Sequence, residues 1–250
     1  MLEILSYNFT YNTVLILISV AFFVGMAKTG VSGISMLVVP LLAMAFGGKE
    51  STGLMLPLLI MADIFGVLYY HRSVNWYSFK KLFPWAALGV IIGTAIGQSV
   101  DDQVFRQLMG FIIFASLGLM IWQEKSKNVN VPDYMWFAIL MGLLGGIATM
   151  VGNLAGVVMA LYLLSMRLPK NEFIGTAACF FLALNLFKVP FHVFIWETIT
   201  LDSFLLNLIS LPFIALGAYV GFAIVKRIPN KQYRWWVIGM TALSAVFMAF

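Results

Sequence analysis

Charge is scarce in this chain. Lys, Arg, Asp and Glu make up 10% of its residues, against about 25% in a soluble domain. With 62% hydrophobic residues and a mean hydropathy of +0.98, the chain reads as a polytopic membrane protein. Cysteine is nearly absent: Cys179 stands alone, which excludes an internal disulfide and a cysteine metal cluster. The two histidines, His71 and His192, have no acidic or cysteine partner at metal spacing. No H-E-x-x-H or G-x-S-x-G motif is present, nor a nucleophile with an identifiable base, so neither an enzyme nor a cofactor is implied. The N-terminus lacks a basic n-region, and no A-x-A site follows the first apolar run, which is therefore expected to stay as a membrane segment.

What is present is a series of apolar segments, two of them broken. The run from Thr13 to Phe46 would make a rod of roughly 50 Å as one helix, beyond a hydrocarbon core of about 30 Å, yet it is too short for two full spans. Its middle carries Lys28, Thr29, Gly30, Ser32, Gly33 and Ser35 ahead of Pro40. Two short half-helices joined by irregular backbone fit this pattern, and such backbone is tolerated at membrane depth only where protein or a water-filled cavity satisfies it. A second long run, Tyr134 to Leu164, is interrupted at Thr149, Gly152 and Asn153. Further spans are expected at 52–70, 82–98, 105–123, 173–195, 204–225 and 233–250, with a polar linker at 124–133.

The order of elements repeats. A shift of 122 residues superposes Gly30 on Gly152, Glu50 on Glu172, Gly53 on Gly175 and Asp63 on Asn185. With about six residues inserted, Pro84, Gly89 and Gly93 then fall on Pro212, Gly217 and Gly221. Residues 1–123 and 134–250 thus read as two halves, each a broken or re-entrant hairpin followed by three spans. Eleven of the fifteen basic residues crowd into four connections: Arg72, Lys80 and Lys81; Lys125 and Lys127; Arg167 and Lys170; Lys226, Arg227, Lys231 and Arg234. The positive-inside rule puts these loops in the cytoplasm and both termini outside, so the net charge of +5 reports topology rather than nucleic-acid binding. On this topology the halves are inverted, the plan of many secondary transporters.

At Gly30 to Pro40 with Leu41 and Leu42, at Tyr69, Tyr70 and Val74 to Trp76, and at Pro84, Gly89, Gly93 and Gly97, the sequence resembles the TauE/SafE sulfite-exporter family, the four-TMS-duplicated sulfur-anion transporters. A weaker echo runs from Gly142 to Pro169, and the resemblance covers nearly the whole chain. It departs from the family where Ser32 and Ser35 interrupt what is often a run of consecutive glycines, with Lys28 ahead of it. The resemblance implies an all-α carrier in a prokaryotic inner membrane for a small anion: sulfite, a sulfonate or an organic acid. Membrane lipid, a coupling proton and a second copy of the chain are the further partners such a carrier admits. A non-catalytic accessory subunit of a sulfur-metabolism system and an anion channel are the rival readings.

The residues of the two breaks suit an anion. Half-helices starting near Ser32 and Leu154 would aim free N–H groups and positive dipole ends inward. Thr29, Ser32, Ser35, Thr149 and Asn153 can donate to oxyanion oxygens, and Gly30, Gly33 and Gly152 allow close approach; the same small residues also suit tight helix packing. Lys28 and Lys188 are the two basic residues placed within apolar runs, where a charge normally has a partner or a task. Lys28 reads as an anion ligand or as a lysine snorkelling to an interface. Lys188 reads as a ligand or as the structural partner of Asp63. Asp63, with Asn185 at the equivalent position of the other half, is the candidate for carrying a coupling proton.

Overall fold

The computed structural model describes residues 11–31, 46–105 and 134–230 continuously, residues 2–4 and 7–9, and scattered positions in 34–42, 107–118 and 232–239. Ser32, Gly33, Ser35, Pro40, the 124–133 linker and most of the expected spans 105–123 and 233–250 lie outside the described residues.

A short antiparallel hairpin, β1 (Leu2–Ile4) and β2 (Tyr7–Phe9), precedes the helices. The helices are α1 (Tyr11–Lys28), α2 (Gly48–Tyr70), α3 (Trp76–Ser99), α4 (Met135–Gly152), α5 (Ala155–Ser165), α6 (Lys170–Phe194), α7 (Leu201–Ile209) and α8 (Leu211–Arg227). Local sequence sets their ends. Gly30, at φ 119°, stops α1 in a conformation that a side chain would resist. Asn153 closes α4 in the left-handed region, at φ 56°. Asn75 caps α3 by accepting from the Ser78 N–H at 2.9 Å. Thr200 and Ser203 form a capping box on α7. Pro212 opens α8, and α7 and α8 meet at 50°.

Among the described residues, α2, α3, α4 and α6 are long and apolar enough to cross a membrane, and the bent pair α7–α8 makes a fifth candidate. Apart from the short β1–β2 hairpin the described structure is helical, and this is an α-helical, multi-pass membrane protein. The eleven residues of α5 rise only about 16 Å, roughly half the hydrocarbon core. α5 folds back along α4: Tyr162 stacks on Phe137 at a centroid distance of 5.9 Å, and Val158 faces Gly145 nearer the turn. The result is a hairpin of one long and one short arm.

Three packed pairs of helices build the body: α3 with α4, α1 with α8, and α2 with α6. The first two are backbone-to-backbone seams. A Cβ at Gly146 would overlap the Ala86 carbonyl, and one at Gly217 would overlap the Phe22 carbonyl. Such contact, without large side chains between, is how helices associate where lipid provides no hydrophobic drive. The third pair carries polar groups into the middle of the molecule.

Candidate functional site

Lys28 occupies the last turn of α1. Its ammonium lies 2.9 Å from Asp63 Oδ1 of α2 and 4.1 Å from the centroid of the Phe181 ring on α6, a cation–π distance. Asp63 is fully buried, and its other oxygen accepts from Asn185 Nδ2 of α6 at 2.7 Å. This short chain Lys28–Asp63–Asn185 joins three helices and gives the buried carboxylate both a counter-charge and a donor.

Lys188, one turn further along α6, is also fully buried but does different work. Its ammonium donates to the Thr149 carbonyl at 2.9 Å, approaches the Thr149 hydroxyl at 3.2 Å, and donates to Asn153 Oδ1. A cation there adds a second donor to the Thr149 carbonyl, which also accepts from the Asn153 N–H at 2.9 Å, and sits at the negative end of the α4 dipole. Asn153 in turn donates from Nδ2 to the Thr52 carbonyl at 3.2 Å, tying the α4–α5 turn to α2.

Between these groups lies a cavity of ≈ 60 Å³. Of the residues singled out from sequence, Lys28, Gly30, Thr149, Asn153 and Asn185 line it. Asp63 and Lys188 stand directly behind that lining, bonded to it. Thr29 and Gly152 are buried outside the lining, and the Thr29 hydroxyl donates to carbonyls of its own helix, Gly25 at 3.0 Å and Met26 at 3.1 Å. Gly156, in the first turn of α5, brings that helix's N-terminus to the cavity wall.

The sequence matches the description "Sulfite exporter TauE/SafE" over residues 17–248. The chain belongs to the TauE/SafE family. That makes it one of a family of membrane transporters, with a small anion as substrate and lipid as surroundings. No curated protein matches it.

Two contributions to this TauE/SafE cavity escape a sequence reading. Phe181, whose ring stacks beneath the Lys28 ammonium, reads as one more lipid-facing aromatic in a chain holding 22 Phe; its signal is the i, i+4 spacing to Asn185. Tyr233 donates from its hydroxyl to the Gly30 carbonyl at 2.7 Å across 203 residues, a link no local pattern reveals. Glu50 and Glu172 sit in the first turns of α2 and α6, as capping acids do. His192 is buried with Nδ1 2.8 Å from the Thr198 hydroxyl, outside the cavity lining. Among the described residues no group of three or more His, Cys, Asp or Glu is arranged to hold a metal ion.

Proposed function

We propose that this protein is an inner-membrane secondary transporter for a small sulfur-containing anion, most simply sulfite, a sulfonate or another organosulfur anion. The substrate binds at the cavity between the α1 and α4–α5 breaks, and two duplicated, inverted halves expose it alternately to either side. Lys28 carries the reading: a cation that lines the cavity while its counter-ion, Asp63, stays buried behind it. An incoming oxyanion can take over the ammonium, with the Asn185 and Asn153 amides and the first N–H groups of α5 nearby as donors. Size agrees with a small substrate, since a water takes about 10–15 Å³ on the same measure and the cavity has room for only a few.

Asp63 supplies the coupling in this scheme. The one positive charge of Lys28 cannot neutralise both the carboxylate and an anion, so protonation of Asp63 leaves that charge to the substrate, and anion and proton load together. The halves' seams support the duplicated reading. Gly89 and Gly93 of α3 face α4, the broken helix of the second half; their counterparts Gly217 and Gly221 of α8 face α1, the broken helix of the first.

The test is flux of labelled sulfite, a sulfonate and a small carboxylate into proteoliposomes, with and without a pH gradient. Saturable flux of a sulfur anion that collapses in Lys28→Ala is expected. Folded protein that carries none of the three, or a Lys28→Ala variant with unchanged affinity, would remove the reading.

A further inference from the structure

Beside the central cavity lies a second, larger one of ≈ 240 Å³, walled by Arg167, Lys170 and Asn230 together with Phe173 and Tyr233. It opens among the basic loops, and its charge is fixed in place: the Lys170 ammonium donates to the carbonyls of Val225 at 3.2 Å and Ile228 at 2.8 Å, at the end of α8. The two cavities share one wall. Phe173 lines both, is nearly fully buried, and meets the ring of Tyr233 edge-on at a centroid distance of 5.7 Å. Tyr233 is buried too, and its hydroxyl holds the Gly30 carbonyl at the α1 break. Gly30 itself is wedged between the side chains of Ile174 and Val225.

We infer that the second cavity is an anion-collecting vestibule and that the Phe173–Tyr233 pair is the gate between it and the central cavity, latched by the Tyr233–Gly30 hydrogen bond. The inference rests on reading the central cavity as the transport site, and it adds a route and a door. Arg167 and Lys170 raise the local concentration of anions at the mouth, as a cleft of one sign does for an oppositely charged ligand. The aromatic pair closes the path with apolar surface, which an anion's hydration shell does not cross. The latch lies on the α1 break, so a shift of that break on binding at Lys28, two residues away, bears directly on the door.

Thiol accessibility tests the gate without any transported anion. In a Cys179→Ser background, Ala177→Cys places a single thiol in the central cavity, which Ala177 lines. Its modification by a membrane-impermeant charged maleimide is measured from each face of oriented vesicles. Slow labelling is expected in the parent. Phe173→Ala should speed it by about tenfold from the face of the basic loops alone, an aromatic plug having been cut to a methyl group. Tyr233→Phe, which removes only the latch hydroxyl and leaves the packing, should speed it by about fivefold, the worth of one ordinary hydrogen bond. Unchanged rates in both variants, or equal acceleration from both faces, would overturn the gate. Because the readout needs no substrate, a failed flux assay and a failed gate assay are separable.

Discussion

Lys28 and Lys188 are both lysines inside apolar helices, and their surroundings give them different chemistry. Lys28 has a carboxylate partner and a cavity; Lys188 has carbonyl, hydroxyl and amide oxygens and no opening. Removing one member of a buried ion pair leaves the other stranded, at a cost of about 3–5 kcal/mol. Lys28→Gln alone is therefore expected to lower the melting temperature in detergent, and Lys28→Gln with Asp63→Asn to recover most of the loss, since the pair Gln–Asn buries no charge. A double variant as unstable as the single one would show that the pair is not what Lys28 contributes. Lys188→Ala leaves Asn153 Oδ1 without the ammonium that donates to it, about 1–3 kcal/mol for a buried acceptor left unmade, and takes one of two donors from the Thr149 carbonyl. It should lower stability even where anion binding is measured to be intact. A Lys188→Ala protein with full stability and lost binding would instead make Lys188 a ligand.

The seams between helices turn on single glycines. Gly145 and Gly146 are neighbours on α4, yet a Cβ at Gly145 would sit at ordinary contact distance from Val158, 3.6 Å, whereas one at Gly146 would run into the Ala86 backbone. Gly145→Ala is expected to hold or gain stability, by up to about 1 kcal/mol from helix propensity. Gly146→Ala should lose about 1–3 kcal/mol by overpacking. Thermal unfolding of the two variants side by side decides it, and equal behaviour would mean that α3 and α4 are not in backbone contact. This contrast was not legible in the sequence, where both residues read as one small-residue stripe. What was legible was the class: low charge, long apolar runs and their lengths give an all-α membrane protein, and the order of the small-residue motifs gives the family. Helix breakers also mark ends. Gly30 lies two residues after the last of α1, and Gly152 and Asn153 close α4. Partnership across helices is less visible, because it depends on rotation about axes that periodicity leaves free. The sequence offered Lys188 as the structural partner of Asp63 and gave Lys28 no carboxylate, yet the carboxylate lies against Lys28.

On the scale of the whole molecule, the site is a junction rather than a pocket in one element. Lys28 comes from α1, Asp63 from α2, Asn153 from the α4–α5 turn and Asn185 from α6. Movement of any one helix therefore redistributes the contacts of the others, as the proposed alternating access would require. Asp63→Asn is expected to lose some stability but keep the fold, because the amide can still bond Asn185 and the Lys28 ammonium it leaves without a counter-ion lines the cavity, while flux loses its dependence on a pH gradient. Asp63→Asn flux with an unchanged pH dependence would place the coupling group elsewhere.

The Asp63–Asn185 hydrogen bond spans 122 positions, the same offset that superposes the sequence motifs of the two proposed halves. Under the duplicated reading, each partner is the other's counterpart, so the bond crosses the axis of the repeat. An ancestral assembly of two identical half-chains could not have made it. Two copies of the first half would press aspartate against aspartate, like charges that cannot both stay ionised at contact distance; two copies of the second would meet as asparagines, with no acid at all. Only after duplication gave the two halves separate coding could mutation fall on one side alone. Under that reading the lone carboxylate opposite Asn185 is a property that duplication made available, and a protein rebuilt from either half twice over should lack it.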